Sequence, residues 1–306
     1  MRIIESKFKK LADICWELFR IAKIPMRFSN FSNKIYTTYQ KLYLLVYKQA
    51  RKFTYEELMT DLSSNLELRG YLGLVRLPDY TTLIKFSKKI PYALLDRMVW
   101  AFKKLVKRPV KVAIDATGLS LDNASPHYCK RIGLPFKKRP FMKCSVIVDI
   151  EDYIILAAKL RKKPRHDTVD GKKLTRKLAN HYEPEVFYAD RGYDDNTLFK
   201  IVFEELGAYP LIFQKNQDVP KHKRSGEYRK RTFPVFDYGE YLQRNKVETT
   251  FSMLKRRFGF SIRSRCIKMQ RVEAITRMIA FNLDRVVRMS EEVILRIFAF
   301  RLRVSY

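Results

Sequence analysis

The period of the apolar residues changes near Val110, and that change constrains the fold more than any other feature of the chain. Before it, apolar residues recur at helical spacing, with cap and turn signals between the runs. Thr54-Tyr-Glu-Glu57 is a capping box, in which the threonine and the glutamate three positions on each satisfy a backbone N–H at a helix start. The pattern continues from Leu66 to a turn at Gly73, and Pro78-Asp-Tyr-Thr81 then leads into a short helix over 82–89, ended by Pro91. After the change, Lys111-Val-Ala-Ile-Asp-Ala-Thr-Gly118 reads as a buried strand that finishes on polar residues. Further strands are predicted over 141–150, 153–159, 185–190 and 209–214, with helices over 170–178 and 196–206.

A basic segment without clear period runs from about 216 to 240, and helices follow over 241–255 and 271–289. The resulting order, β-β-β-α-β-α-β-α-α, predicts an α/β fold: a mixed sheet flanked by helices, in the order of the RNase H-like fold. The expected organisation is an all-α domain over residues 1–108 and an α/β domain over 109–295 that carries the basic segment as an insertion. In the first domain, two short helices around a Gly/Pro turn, the second bearing Lys85, Lys88 and Lys89, suit either a DNA-reading helix-turn-helix or simple three-helix packing.

Charge points to the partner. The 306 residues hold 62 Lys+Arg against 32 Asp+Glu, a formal charge of +30 spread along the whole chain. Basic surface gains by releasing counterions from a nucleic acid, so a polyanion is the expected partner. An aromatic content of 13% excludes a disordered basic tail. No stretch reaches the roughly 20 apolar residues that span a bilayer, and the first residues lack a signal-peptide core; the expectation is a soluble cytoplasmic protein with no membrane partner. The cysteines (Cys15, Cys129, Cys144, Cys266) are scattered; His127 and Cys129 are close, but no second pair at zinc spacing completes them.

The run Tyr241-Leu-Gln-Arg-Asn-Lys-Val-Glu-Thr-Thr-Phe-Ser-Met-Leu-Lys255 carries the chemistry. In a helix turning about 100° per residue, Tyr241, Arg244, Glu248 and Lys255 fall within roughly 60° of one another, beside an apolar stripe of Val247, Phe251, Leu254 and Phe258. Asp115 lies in the first predicted strand and Asp190 ends the fourth, so these two and Glu248 can converge. Clustered carboxylates repel and are tolerated where a divalent cation neutralises them; hard oxygen donors suit Mg²⁺, with Mn²⁺ as substitute. Arg244 offers a planar fork for two phosphate oxygens, Lys255 a mobile point charge, and Tyr241 either a ring to stack on an unpaired base or a hydroxyl to donate to a phosphate. Arg256 and Arg257 belong to one of several basic clusters, with Lys137–Arg139, Arg161–Lys163, Arg165, Lys221–Arg224 and Arg229–Arg231, expected to track phosphate. A solvated face with i, i+4 ion pairs is the alternative for each.

These residues resemble the insertion-sequence transposases with a DDE triad on an RNase H-like core. The run matches their Tyr-(2)-Arg-(3)-Glu-(6)-Lys signature; Ala189-Asp-Arg-Gly-Tyr-Asp194 and Ile114-Asp-Ala-Thr117 are similar to the second- and first-aspartate motifs. His166-Asp167 and Ala280-Phe-Asn-Leu283 are similar to weaker family features, and the stretches around Tyr55 and Pro78 to the preceding helical domain. The resemblance implies that Asp115, Asp190 and Glu248 bind the catalytic Mg²⁺ ions. It further implies an enzyme that binds the terminal inverted repeats of its own element, cleaves the ends, and joins the freed 3′-hydroxyls to target DNA, as a homodimer on double-stranded DNA. A metal-dependent nuclease of the same fold that does not join, and a catalytically idle DNA-binding derivative, are the competing readings.

Overall fold

The computed structural model describes residues 7–28, 35–102, 105, 111–121, 130–131, 133, 140–215, 218–223, 225–232 and 236–289. They fall into two compact units. One gathers the described residues of Met1–Leu105 and Ser264–Tyr306, the other those of Val106–Arg263.

The first unit is helical: α1 (Lys7–Ile21), α2 (Thr38–Arg51), α3 (Tyr55–Ser64), α4 (Leu66–Tyr71), α5 (Tyr80–Lys89), α6 (Tyr92–Ala101) and, from the far end of the chain, α12 (Ile267–Arg288). The capping box forms at α3, where Thr54 Oγ1 accepts the Glu57 N–H at 3.1 Å and Glu57 Oε2 accepts the Thr54 N–H at 2.6 Å. Asp79 caps α5 through the Thr81 N–H at 2.8 Å, and Pro91 precedes α6. Helix α12 is buried almost all round from Gln270 to Val286, as a helix at the centre of a bundle must be, and packs on α2, α6, α1 and α5. The sequence reading placed this helix in the second domain. An apolar face states that a helix needs a partner but does not name it, which is why the assignment differs. The expected boundary at 108/109 and the residues 290–295 lie outside the described residues.

The second unit is built on a five-stranded sheet in the order β3-β2-β1-β4-β5. Strand β1 (Lys111–Ser120) pairs antiparallel with β2 (Phe141–Asp149), and β2 with β3 (Ile154–Arg161). On its other edge β1 pairs parallel with β4 (Val186–Ala189), and β4 with β5 (Tyr209–Ile212). Strand β2 is buried at every position from Met142 to Asp149, so both faces of the sheet are covered. Helix α7 (Asp167–Ala179) packs on β3, β2 and β1; α11 (Asn245–Phe258) packs on β1 and β2 through Val247, Phe251, Leu254 and Phe258, the stripe expected from spacing. This is the RNase H-like mixed sheet flanked by helices.

Local departures are informative. The helix expected over 196–206 is α8 (Asn196–Lys200) followed by a π-helical turn over Ile201–Glu205. Part of the segment expected to lack period folds as a short turn (Lys221–Lys223) and α9 (Glu227–Thr232). Arg229, counted among phosphate-tracking residues, instead pairs with Asp194 through both carboxylate oxygens at 2.6 and 2.7 Å. Arg161 likewise meets buried Asp170 at 2.5 Å. Opposite charges that a fold brings together across distant residues look, in sequence, like any other surface cations.

Candidate functional site

The register of the parallel pair does the first work. Ile114 lies opposite Ala189, the last residue of β4, so the next step on each chain sets Asp115 beside Asp190. Asp115 continues in β1 opposite Val146 of β2, and its Oδ1 accepts the Ala116 N–H at 2.7 Å. Asp190 leaves the strand and caps the tight turn Arg191–Tyr193, its Oδ1 accepting the Gly192 N–H at 2.9 Å. A Cβ at position 192 would come within 3.0 Å of that oxygen and 3.5 Å of Asp167 Oδ2. Glycine therefore lets two carboxylates approach one turn. Asp167 is itself held by Lys143 at 2.5 Å, and His166 caps α7 through the Thr168 N–H at 3.4 Å.

The third carboxylate arrives from the helix that follows. The chain runs through α10 (Tyr238–Tyr241), a tighter 3-10 turn over Leu242–Arg244, and then α11. Arg244 Nη2 donates to Glu248 Oε1 at 2.9 Å, one helical turn on, while Nη1 stands 3.9 Å from Asp115 Oδ2. One guanidinium thus links the strand carboxylate to the helix carboxylate. Arg244 and Asp115 are largely buried, at 17% and 20% side-chain exposure, whereas Glu248 at 57% faces solvent.

Burial pushes the Asp115 carboxyl up to about 6, and the charges of Asp190 and Glu248 push the same way; the Ala116 N–H and Arg244 oppose them. Burial also raises Asp190, with the Asp167 charge adding to it and the Gly192 N–H and Arg244 opposing. Burial works against the Arg244 charge, yet its bond to Glu248 and the nearby acids hold it above the usual guanidinium range.

The other members of the run take different places. Lys255 does not join Glu248: its Nζ donates to Thr117 Oγ1 at 2.6 Å, two residues along β1 from Asp115. The common face drawn for Tyr241 assumed one uniform helix, which the 3-10 turn interrupts. Tyr241 is packed among Phe213, Phe236 and Tyr238, with ring centroids at 5.6, 5.3 and 6.1 Å, and burial raises its hydroxyl. Arg256 is exposed and Arg257 half-buried; Lys85, Lys88 and Lys89 are exposed on α5 of the other unit. Sequence reasoning missed Glu240, which meets Lys111 Nζ at 2.6 Å and accepts the hydroxyl of buried Tyr188, pinning α10 to β1 and β4. Its signal was slight: an acid placed just before the signature run in a basic stretch.

Among the described residues, no three or more His, Cys, Asp or Glu side chains are grouped closely enough to hold a metal ion. The donor chemistry nonetheless suits a hard divalent cation. Asp115 and Asp190 offer oxygen donors whose charges act on one another, and their neutralising charge here is a guanidinium. Cys15 and Cys144 are buried free thiols and Cys266 an exposed one; His127, Cys129 and the cluster Lys137–Arg139 lie outside the described residues.

Residues 107–283 match the family model described as transposase DDE domain, more than half of the chain. The chain belongs to that family. Membership places it with DNA-acting, transposase-like proteins. No curated protein matches it in sequence. Among solved structures it is similar to the cryo-EM structure of a piggyBac transposase synaptic complex with hairpin DNA, at 12% identity and a TM-score of 0.49, over 94% of this chain and 76% of that one. Among the described residues, no helix is long and apolar enough to cross a membrane.

Proposed function

We propose that this protein is a transposase of the Tyr-Arg-Glu-Lys signature class, which cleaves DNA at the ends of its own insertion sequence and joins the freed 3′-hydroxyls to target DNA. The observation that carries this reading is the register that sets Asp115 beside Asp190, with Arg244 tying Asp115 to Glu248. In this reading the three carboxylates hold Mg²⁺, or Mn²⁺ in its place, which when bound supplies positive charge against the attacking and leaving oxygens.

Each residue has a definite task. Asp190 is aimed by the Gly192 N–H and Asp115 by the Ala116 N–H, so neither needs reorienting before it takes a ligand. Exposed Glu248 is the movable member. Arg244 spends its fork on Glu248 and Asp115, and turning it to a phosphate frees both carboxylates at once. Lys255, bound to Thr117, holds α11 against β1 and adds positive potential beneath the site. Water is the first nucleophile and the 3′-hydroxyl the second, both in line with the leaving oxygen. Terminal-repeat DNA and target DNA are the substrates, handled by a homodimer, with exposed Arg256 and the α5 lysines as phosphate contacts.

The test uses duplexes carrying the sequences that flank the gene, incubated with the protein, Mg²⁺ and a plasmid target. Joined end–plasmid products support the proposal. Cleaved ends that never join would assign the chain to nucleases instead, and binding with no cleavage would make it an idle derivative.

A further inference from the structure

Tyr193 carries a hydroxyl that the fold buries and leaves unpaired. The residue closes the tight turn after Asp190, its N–H donating to the Asp190 carbonyl at 3.1 Å, and it is only 1% exposed. The ring lies against α7 at Gly171, where a Cβ would stand 2.9 Å from it, so α7 carries glycine at the point of closest approach. Among the described residues, no group accepts the hydroxyl proton. Burying a hydroxyl unpaired is unfavourable, and phenylalanine would fill the same space without that cost. The hydroxyl is not there for packing.

Its surroundings say what it can serve. Burial first, and then the charges of Asp167, Asp115, Asp190 and Asp170, hold its proton well above the ordinary phenol range, so it stays a donor at any working pH. Two of these acids are already matched. Lys143 meets Asp167 at 2.5 Å; Arg161 meets Asp170 at 2.5 Å, and the Ser145 hydroxyl donates to the other Asp170 oxygen at 3.4 Å. Among the described residues, no cation comes so close to Asp115 or Asp190. Each accepts a backbone N–H, and Arg244 stands 3.9 Å from Asp115. These two carboxylates are the ones with room for a further donor.

We propose that Tyr193 is a positioning residue for the divalent cation: its hydroxyl donates to the Asp115–Asp190 pair when the pair holds the ion. A carboxylate that binds a cation still has lone pairs to spare, and a fixed donor on its far side holds it in the binding orientation. A cation draws the two carboxylates toward each other, and that is the state in which the phenol finds its acceptor. Without the ion, the hydroxyl has no bond to lose.

The inference rests on the reading that Asp115, Asp190 and Glu248 hold a metal ion. Its test compares wild type, Tyr193→Phe and Asp190→Asn as full chains without DNA, by calorimetric titration with Mn²⁺ and by thermal melts in chelator. Tyr193→Phe should bind Mn²⁺ about tenfold more weakly than wild type. In chelator it should melt at the wild-type temperature or slightly above it, since it loses no bond and sheds a buried unpaired hydroxyl. A merely structural tyrosine would give the reverse, a lower melting temperature with Mn²⁺ affinity unchanged. Equal Mn²⁺ affinity in wild type and Tyr193→Phe, or a variant that melts well below wild type in chelator, would overturn the proposal. Asp190→Asn separates the two failures: where it loses Mn²⁺ binding and Tyr193→Phe does not, only the role of Tyr193 falls. If wild type binds no Mn²⁺, or Asp190→Asn binds it as wild type does, the metal reading falls and this inference with it.

Discussion

Replacing Asp115 by asparagine should stabilise the protein at neutral pH, by an amount that shrinks as the pH falls. The Asp115 carboxyl moves from 3.8 to about 6 on folding. Below 3.8 it is protonated in folded and unfolded chains alike, and no penalty exists. Between 3.8 and about 6 the unfolded chain ionises while the folded one keeps its proton, so stability falls with rising pH. Above about 6 the whole penalty remains. At about 1.4 kcal/mol for each pH unit, it amounts to roughly 3 kcal/mol, an upper value because some solvent reaches the group. The asparagine amide carries no charge to desolvate, and its carbonyl oxygen can still accept the Ala116 N–H. For a protein of this size the gain corresponds to about 5 °C in Tm near pH 8. Thermal melts of both proteins from about pH 4 to 8, with chelator present, read the difference directly. A variant no more stable than wild type at about pH 8, or an equal gain at both ends of that range, would refute the reasoning, since packing rather than charge would then be responsible.

Arg229→Ala leaves Asp194, only 2% exposed, with the Lys215 N–H but no countercharge. We expect a loss of about 3–5 kcal/mol in denaturant titrations, and a loss under about 1 kcal/mol would mean that solvent screens the pair. Gly171→Ala in α7 sets a methyl group 2.9 Å from the Tyr193 ring. Overpacking there should cost about 1–3 kcal/mol and lower the melting temperature; an unchanged Tm would show that the ring has room to move. Thr54→Ala removes one half of the α3 capping box and should cost about 1 kcal/mol, measured as a shift in denaturant midpoint.

The strands were legible because they depend on local pattern, and the pairing of Asp115 with Asp190 because the first and fourth strands are neighbours in the RNase H-like order. A buried strand that finishes on polar residues marks where chemistry can emerge, and parallel register then sets two such ends side by side. The Arg244–Glu248 contact was equally legible, because i, i+4 neighbours meet on any helix. Lys255 was not. Its partner Thr117 lies 138 residues away, and helical angle alone cannot say what stands opposite a face. The packing around Tyr241 was not legible either, because Phe213 and Phe236 reach it only in the folded chain. The same holds for Arg161 and Arg229, whose charges are spent on Asp170 and Asp194 inside the fold. Helix α12 shows the limit at the scale of whole elements: its burial was written in its residues, its companions were not.

Cleavage of end-bearing DNA by the Asp190→Asn and Glu248→Gln variants, beside wild type and with Mg²⁺ or Mn²⁺ supplied, tests the central claim most directly. The account predicts that both variants lose cleavage by at least about a hundredfold while binding the same DNA within a few-fold of wild type. Cleavage retained by either variant would contradict it and would take that carboxylate out of the site.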